Sequence, residues 1–189
     1  CESWAIAYIY ALWRICLDPD TWIIIASNTA SQAEMHVRLV IFQLENNKKL
    51  LADFALPDPA GAPCFRLKNA EKWTDREIII NRQIKSEHAT LMAVGSGAAV
   101  LGRRAKILIG DDLLDKDNSR TADQREKMKY WHDNEFLNTL EPDGQELVIG
   151  TSQHDLDLYS ELMKRKAFTT VVDKAVINFE AKIVLWPEK

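Results

Sequence analysis

The stretch AKILIGDDLLDKDNSRT, residues 105–121, contains an apolar run that ends abruptly in two aspartates. A strand that is buried on both faces of a parallel sheet has a continuous apolar run instead of an alternating pattern. Residues 106–110 fit this description, so they are predicted to form a central parallel strand. Ligands of open parallel sheets bind beyond the carboxyl ends of the strands, where Asp111 and Asp112 stand. The stretch therefore predicts a type of sheet and the position of a functional site.

Similar apolar runs alternate with helical patterns along the whole chain. The predicted strands are residues 21–26, 77–81, 90–94, 106–110 and 146–150, with a weaker one at 168–172. Three helices are predicted. The first covers residues 3–17, the second ends at Asn46 and Asn47, and the third covers residues 123–140 and follows a capping box at residues 121–124. Residues 50–70 hold three of the six prolines and are predicted to be irregular. Strands separated by helices favour a three-layer αβα fold with a mainly parallel sheet.

Composition limits the classes of protein that the chain can belong to. Its 189 residues, 47% hydrophobic and 28% charged, fit one globular α/β domain. The net charge of -4 provides no global basic field for nucleic acid, so any contact with DNA is expected to be local. No apolar run approaches the roughly 20 residues of a membrane span, and we expect no membrane partner. The three cysteines form no metal-binding or disulfide pattern, which favours a reduced, cytosolic setting.

The paired acids have a chemical interpretation and a structural one. Side chains diverge at successive positions of an extended chain, so one carboxylate can hold a metal while its neighbour faces another atom. This division suits nucleotide hydrolysis, in which one strand-end acid helps to hold Mg²⁺ and another orients the attacking water. An Asp-Asp pair can equally mark a polar turn after a strand, and this alternative stays open on the residues alone.

Two further segments place polar groups near predicted strand ends. Thr151 and Ser152 follow the strand at 146–150, where their hydroxyl groups could sense a phosphate, although Gly150 and its neighbours also suit a simple turn. Arg103 and Arg104 precede the acidic strand, and their permanent charge suits a phosphate group of the same subunit or of the next one. For each arginine alone, an ordinary surface position remains an alternative.

Four separated segments together resemble a known family. They are GSGAAVLGRRAKILIGDD (95–112), Asn118-Ser119 with Gln124-Arg125-Glu126, VIGTSQHDLDLY (148–159) and Leu185-Trp186-Pro187-Glu188. In their order and approximate spacing they resemble the ATPase domain of tailed-phage terminase large subunits. The resemblance implies a P-loop NTPase fold of the additional-strand (RecA/ASCE-like) class over residues 1–189, and an RNase H-like nuclease domain beyond residue 189.

The resemblance also implies roles for individual residues. Asp111 is expected to be the Walker B ligand of Mg²⁺, and Asp112 the catalytic carboxylate, although this family usually has Glu at that position. Thr151 and Ser152 are expected to lie in the motif that couples ATP hydrolysis to DNA movement. Arg103 and Arg104 are both candidates for the arginine that completes a neighbouring subunit's site, and the resemblance does not choose between them.

The implied activity is ATP-driven translocation of double-stranded viral DNA into a procapsid. ATP and Mg²⁺ are the implied cofactors. The implied partners are double-stranded DNA, the terminase small subunit, the portal protein and further copies of the chain in a ring. The implied location is the cytoplasm of the bacterial host.

The phosphate-binding loop is where the chain departs most from the P-loop pattern. In a Walker A motif, G-x-x-x-x-G-K-[ST], the Ser or Thr binds Mg²⁺ and the Lys binds phosphates. Ser3 stands at the position of this Ser or Thr, but Glu2 stands where the Lys is expected. We therefore expect Ser3 to contribute to metal and nucleotide binding, and we expect weak hydrolysis by these 189 residues alone.

Two other functions fit parts of the sequence. A P-loop helicase also places paired acids after one strand and a Ser/Thr motif after another. A calcium-binding loop of the EF-hand type is suggested by residues 115–126, although Arg120 stands where that loop needs Gly and a strand stands where its first helix should be. Its ligand positions would be Asp115, Asp117, Ser119, Thr121, Asp123 and Glu126.

The four histidines have no partners at metal-binding spacing. His36 falls on the apolar side of the second predicted helix, beside Ala33, Val37 and Val40. The pattern predicts a packed or half-buried histidine at this position.

Overall fold

A computed structural model describes residues 3–173, together with the backbone of Val176–Asn178 and Ile183–Val184. Five strands form the main sheet, in the order β2-β3-β1-β4-β5. They are β1 (Ile23–Ser27), β2 (Glu77–Ile78), β3 (Leu91–Gly95), β4 (Ala105–Asp111) and β5 (Leu140–Ile149). Strands β3, β1, β4 and β5 are parallel, and only β2 is antiparallel to its neighbour. The predicted α/β class and mainly parallel sheet are confirmed.

Helices connect the strands of the main sheet. A π-helical segment, Trp4–Tyr10, continues into α1 (Ala11–Leu17). The others are α2 (Ala30–Asn46), α3 (Lys48–Phe54), α4 (Lys116–Ser119), α5 (Ala122–Trp131), a second π-helical segment (His132–Phe136) with a 3-10 turn (Leu137–Thr139), and α6 (Leu158–Leu162). Two short antiparallel strands, β6 (Val176–Asn178) and β7 (Ile183–Val184), form a separate sheet.

The main sheet lies between two helical layers, each with its own hydrophobic core. On one face, Ile25 and Ile109 pack against the helices that precede and follow β1. On the other face, Leu108 packs against the side of the molecule that contains Trp131 and Phe136. Because successive strand residues point to opposite faces, β1 and β4 contribute to both cores and need apolar side chains throughout. The three-layer arrangement agrees with the prediction.

Several predicted boundaries differ from the structure. The segment 77–81 is reduced to the two residues of β2, while β5 begins at Leu140, earlier than predicted. The segment 50–70 was predicted to be irregular, but α3 includes its first part. Asn47 begins α3 because its side chain accepts hydrogen bonds from the backbone N–H groups of Lys49 and Leu50.

Two further corrections concern the second half of the chain. The helix predicted over 123–140 is α-helical only as far as Trp131, after which π-helical and 3-10 turns replace the α-helical pattern. The weak strand predicted at 168–172 is wrong, since these residues form no strand. Val171 and Val172 are 84% and 61% exposed, so the prediction rested on β-branched residues that are not buried against a sheet.

The capping box before α5 is confirmed and gives a stability prediction. The Thr121 side chain accepts a hydrogen bond from the backbone N–H of Gln124, whose side chain accepts one from the backbone N–H of Thr121. We expect Thr121→Ala to lower the free energy of unfolding by about 1 kcal/mol, because one helical N–H loses its partner. Urea denaturation measures this change, and Thr121→Ser should retain most of the stability. An unchanged midpoint for Thr121→Ala would contradict the capping role.

Some expectations lie outside the described residues. Glu2 and the segment Leu185-Trp186-Pro187-Glu188 are among them, and the predicted single domain over 1–189 with a nuclease beyond it stays a prediction. Within the part of the chain that the structure describes, no helix has the length and apolar character required to cross a membrane.

Candidate nucleotide site at the carboxyl edge of the sheet

Four parallel strands end at one side of the molecule, which we call the carboxyl edge: the last residues of β1, β3, β4 and β5 and those that follow them. Asp111 is the final residue of β4 and is paired in register with Ser27 of β1 on one side and with Ile149 of β5 on the other. Asp112 is the first residue beyond the strand. The structure thus places both acids where the sequence predicted them.

Asp111 is a buried carboxylate with one satisfied oxygen and one unsatisfied oxygen. Its side chain is 7% exposed, and its Oδ2 lies 2.8 Å from Nε2 of His36, which is 4% exposed. Among the described residues, Oδ1 of Asp111 has no hydrogen-bond partner, and neither do Nδ1 of His36 and the hydroxyl of Ser27, all of them buried. Unsatisfied buried polar atoms are rare in proteins, and here three of them belong to residues that contact or adjoin one another.

Asp112 has a backbone conformation that few residues adopt. Its φ angle is +47°, the only positive φ of a non-glycine residue in the described part of the chain. Two backbone hydrogen bonds hold it there, since its N–H donates to the Ile149 carbonyl (2.9 Å) and its carbonyl accepts from the Asn28 N–H (3.1 Å). Left-handed conformations of non-glycine residues cluster at functional sites, and Asp tolerates them better than most residues. The strands on both sides therefore fix the direction of the Asp112 side chain.

A polar clasp of Asn28, Asp115 and Asn118 shapes the loop that follows Asp112. The Asn28 amide donates to Oδ2 of Asp115 (2.7 Å), and the Asn118 amide donates to Oδ1 of Asn28 (3.0 Å). The same Asn118 amide also donates to the Leu113 carbonyl at 2.9 Å. These bonds connect the end of β1 to the turn after β4, so the clasp holds the loop against the carboxyl edge.

The calcium-loop alternative does not agree with this arrangement. Residues 115–126 form two capped helices, α4 and the start of α5, instead of an open loop. The Asp115 carboxylate caps α4 by accepting from the N–H groups of Asp117 and Asn118, and it also accepts from Asn28. Over the residues that the structure describes, no three His, Cys, Asp or Glu side chains come together as a metal-binding group.

Tyr159 connects the end of β4 to the end of β5. Its hydroxyl accepts a hydrogen bond of 2.7 Å from the backbone N–H of Leu113, two residues after Asp111. Its ring also lies so close to Gly150 that a Cβ atom at that position would overlap the phenol group. Burial raises the pKa of the Tyr159 hydroxyl, so it remains protonated at neutral pH. Gly150 and Tyr159 thus fit together at the carboxyl edge.

This close approach predicts the effect of a single methyl group. We expect Gly150→Ala to lower the free energy of unfolding by about 1–3 kcal/mol, because Tyr159 must move away from its place against the strand. Thermal denaturation followed by near-UV circular dichroism measures both the stability and the displaced ring. In a Tyr159→Ala background the overlapping ring is absent, so Gly150→Ala should cost little further stability there. Full stability of Gly150→Ala would show that the two residues are not in contact.

Thr151 and Ser152 are both exposed, and Ser152 is engaged in a local hydrogen-bond network. The Ser152 hydroxyl donates to Oδ2 of Asp157 (3.0 Å), which also accepts from the N–H groups of Gln153 (2.7 Å) and His154 (3.1 Å). Burial alone would raise the pKa of Asp157, but the hydrogen bonds donated to its carboxylate hold the pKa below its usual value. The network orders the turn after β5, and the predicted phosphate-sensing role of both hydroxyls stays a prediction.

Ser3 precedes the first helical segment and is partly buried. That helical stretch ends at Leu17, and the carboxylate of the next residue, Asp18, lies 3.4 Å from the ammonium of Lys106 near the start of β4. The predicted role of Ser3 in metal and nucleotide binding stays a prediction.

The oxygen atoms at the carboxyl edge fit a magnesium ion. Mg²⁺ prefers oxygen ligands, keeps several waters and takes only one or two carboxylates from a protein. The unsatisfied Oδ1 of Asp111 supplies one such oxygen, and the buried hydroxyl of Ser27, the residue paired with Asp111, is a further hard donor.

The two arginines lie at the other end of the strand. Arg103 and Arg104 come just before β4, about 20 Å from its carboxyl end. Arg103 lies 3.8 Å from the Glu77 carboxylate, and Nε of Arg104 lies 3.9 Å from that of Glu141. The Arg103 side chain is partly exposed and that of Arg104 is about half exposed. The structure therefore does not bring them to Asp111 and Asp112 of the same chain, and a role towards a neighbouring subunit stays a prediction.

The sequence prediction missed three elements of this site. His36 was interpreted as a packing residue, because its position among apolar helix residues gave no sign of a carboxylate partner. The Asn28 clasp depends on contacts between residues about 90 positions apart. Tyr159 could have been found, since it ends the VIGTSQHDLDLY segment, although nothing in that segment indicates its bond to Leu113.

Comparisons with known proteins give one informative similarity. The chain is 28% identical over 171 residues to the terminase large subunit of Enterobacteria phage T3. The matched region covers 86% of the chain but only 26% of that relative, so the chain spans about a quarter of the length of the protein that it matches. No protein-family model matches the chain. At this identity, the similarity supports a terminase-like relationship for most of the chain.

Proposed function

We propose that this chain is the ATP-hydrolysing part of a terminase-like motor that moves double-stranded viral DNA. The observation that carries the proposal is the pair Asp111 and Asp112 at the carboxyl edge. Asp111 is buried with one unsatisfied oxygen, and Asp112 is held in a left-handed conformation beside it. Two adjacent acids with such different surroundings suit two different tasks, namely metal binding and activation of water.

The proposed mechanism assigns one task to each acid. Asp111 and Ser3 would hold Mg²⁺, which neutralises charge on the phosphates of ATP when it is bound. Asp112 would accept a hydrogen bond from the attacking water and orient it towards the γ-phosphate. The loop after Asp112 is connected to the turn after β5 by the contacts that Tyr159 makes with Leu113 and Gly150. A conformational change at the acids can therefore reach Thr151 and Ser152 through direct contacts.

The similarity to the phage T3 protein supports the choice of a packaging motor over a helicase. On this proposal the partners are double-stranded DNA, the terminase small subunit, the portal protein and further copies of the chain in a ring, within the cytoplasm of the bacterial host. Arg103 or Arg104 would then act on the site of the neighbouring copy, since both lie far from the acids of their own chain. Duplex DNA should alter the rate of ATP hydrolysis, whereas a helicase would also separate strands.

Binding of ATP to the intact protein tests the proposal. Isothermal titration calorimetry with Mg²⁺ and a non-hydrolysable ATP analogue should give one site, and Asp111→Asn should weaken the metal-dependent part of the binding. Asp117→Asn is a matched control, because Asp117 is an exposed aspartate in the same region. If the wild-type protein binds no nucleotide, or if both variants bind equally well, the proposed site is wrong.

A further inference from the structure

The contact between His36 and Asp111 links α2 directly to the candidate metal ligand. Nε2 of His36 lies 2.8 Å from Oδ2 of Asp111, with both side chains buried. An ionised carboxylate can only accept hydrogen bonds, so a metal-binding Asp111 requires Nε2–H of His36 as the donor.

The position of the imidazole is fixed by the helix that carries it. Helix α2 begins two residues after β1, where Thr29 and Gln32 form a capping box. Val37 and Val40, which share the buried side of α2 with His36, lie in the core below the sheet. The imidazole is thus attached to a packed helix, and its hydrogen bond restricts rotation of the Asp111 carboxylate.

The hydrogen bond between His36 and Oδ2 of Asp111 also fixes the orientation of Oδ1, the other oxygen of the same carboxylate. With Oδ2 engaged by His36, Oδ1 is the oxygen left without a partner among the described residues. A carboxylate free to rotate would have to be ordered when it binds a cation, and a carboxylate already oriented would not. Hydrogen-bonding partners of metal ligands commonly provide this orientation.

We propose that His36 is a positioning residue, which orients Asp111 so that its Oδ1 is available to Mg²⁺. This inference rests on the proposed function, because it requires Asp111 to be a metal ligand. His36 acts only through Asp111 and contacts neither the metal nor the nucleotide. Loss of such a partner typically lowers metal affinity about 10- to 100-fold.

Two substitutions separate positioning from packing. His36→Leu keeps a buried side chain of similar size but removes the donor, whereas His36→Gln places an amide N–H where it can donate to Asp111. His88→Leu is the matched control, because His88 precedes β3 and contacts the ring of Trp22, away from the carboxyl edge. A purely structural role for His36 would change stability and leave metal affinity unaltered in the folded protein.

Binding of Mn²⁺ to the intact protein, measured by electron paramagnetic resonance in the presence of a non-hydrolysable ATP analogue, tests the proposal. We expect His36→Leu to bind Mn²⁺ about 10- to 100-fold more weakly, with His36→Gln within a few-fold of wild type and His88→Leu unchanged. If Asp111→Asn loses Mn²⁺ while His36→Leu binds it normally, the positioning role is wrong and the proposed function stands. If Asp111→Asn also binds normally, both are wrong.

A measurement on the wild-type protein keeps the proposal testable if His36→Leu does not fold. Nitrogen-15 NMR of labelled histidine should show the Nε2-protonated form of His36, and addition of Mg²⁺ with the ATP analogue should shift the Nε2 resonance. A resonance that does not respond to Mg²⁺, in a protein that binds the complex, would overturn the proposal.

Discussion

Replacing Asp112 by Asn is expected to lower the rate of Mg²⁺-dependent ATP hydrolysis by about 10²- to 10⁴-fold in the intact protein, the range associated with loss of a positioned acid or base. Asn has the same shape as Asp but cannot accept a proton from water. It also tolerates a positive φ, so the backbone conformation at residue 112, with φ of +47°, should be preserved. The expected result is a folded protein that binds ATP and turns it over very slowly.

Asp111→Asn provides the contrast that separates the two roles. It should weaken binding of Mg²⁺, so that activity returns in part when the metal concentration is raised. Asp112→Asn should show no such recovery, because its defect lies in the chemical step. Steady-state kinetics at several Mg²⁺ concentrations distinguish the two, and recovery of Asp112→Asn by added metal would reverse the assignment.

The Asp112→Glu variant tests whether the shorter side chain of Asp112 lowers the rate of turnover. The family that the chain resembles usually has Glu at this position, and Glu reaches further towards a water molecule. A positive φ is less favourable for Glu than for Asp or Asn, so the variant gains the family's usual carboxylate at some cost in backbone strain. Turnover relative to wild type measures the balance between the two.

The largest expected loss of stability comes from His132, which is completely buried between two carboxylates. Its Nε2 lies 2.7 Å from the Glu146 carboxylate and its Nδ1 lies 2.7 Å from that of Asp133. The Glu146 side chain is only 5% exposed. His132→Leu should therefore lower the free energy of unfolding by about 3–5 kcal/mol, because it leaves a buried charge without its partner.

A double variant separates the lost pair from the lost packing. His132→Leu/Glu146→Leu replaces the buried pair by apolar side chains and should recover much of the stability, since buried ion pairs often exchange for apolar groups at little cost. Chemical denaturation of the three proteins gives the comparison. If the double variant is as unstable as His132→Leu, packing of the imidazole would be the cause instead of charge.

The same pair predicts how stability changes with pH. Burial alone would lower the pKa of His132, but its hydrogen bonds to Glu146 and Asp133, with their charges, raise it above the ordinary value of 6.5. The contribution of the protonated imidazole is therefore fully present below about pH 6.5 and is lost as the pH rises through the raised pKa. Asp133 also binds Arg165, and Glu161 binds Arg165 and Lys129, so these charges surround the pair. The stability difference between wild type and His132→Leu should shrink as the pH rises above 6.5.

The sequence predicted the architecture well where a strand is buried on both faces of the sheet, because such burial restricts the strand to apolar residues. The run at 106–110 has to be apolar throughout, because β4 contributes Leu108 to one core and Ile109 to the other. The same constraint explains the accurate positions of β1 and β3. The predictions failed where this constraint is weak, as at β2, which has two residues, and at the exposed Val171 and Val172.

The candidate site was predictable only in part, for a physical reason. Positions after a parallel strand are determined by the local pattern, so Asp111 and Asp112 could be placed from the sequence alone. Contacts between distant segments leave no local pattern, and the bond from His36 to Asp111 spans 75 positions. Proximity in sequence is also a poor guide to proximity in space, since Arg103 and Arg104 are close to the acids in sequence but are separated from them by the whole length of β4.

The central claim is that Asp111 and Asp112 form a magnesium-dependent site of ATP hydrolysis. Its most direct test is phosphate release from ATP by the intact protein, with and without Mg²⁺, beside the Asp111→Asn and Asp112→Asn variants. The account predicts release that requires Mg²⁺ and is lost in Asp112→Asn, with Asp111→Asn partly restored by excess metal. Release that is equally fast in the wild-type protein and in both variants, or no release by the wild-type protein under any condition, would contradict it.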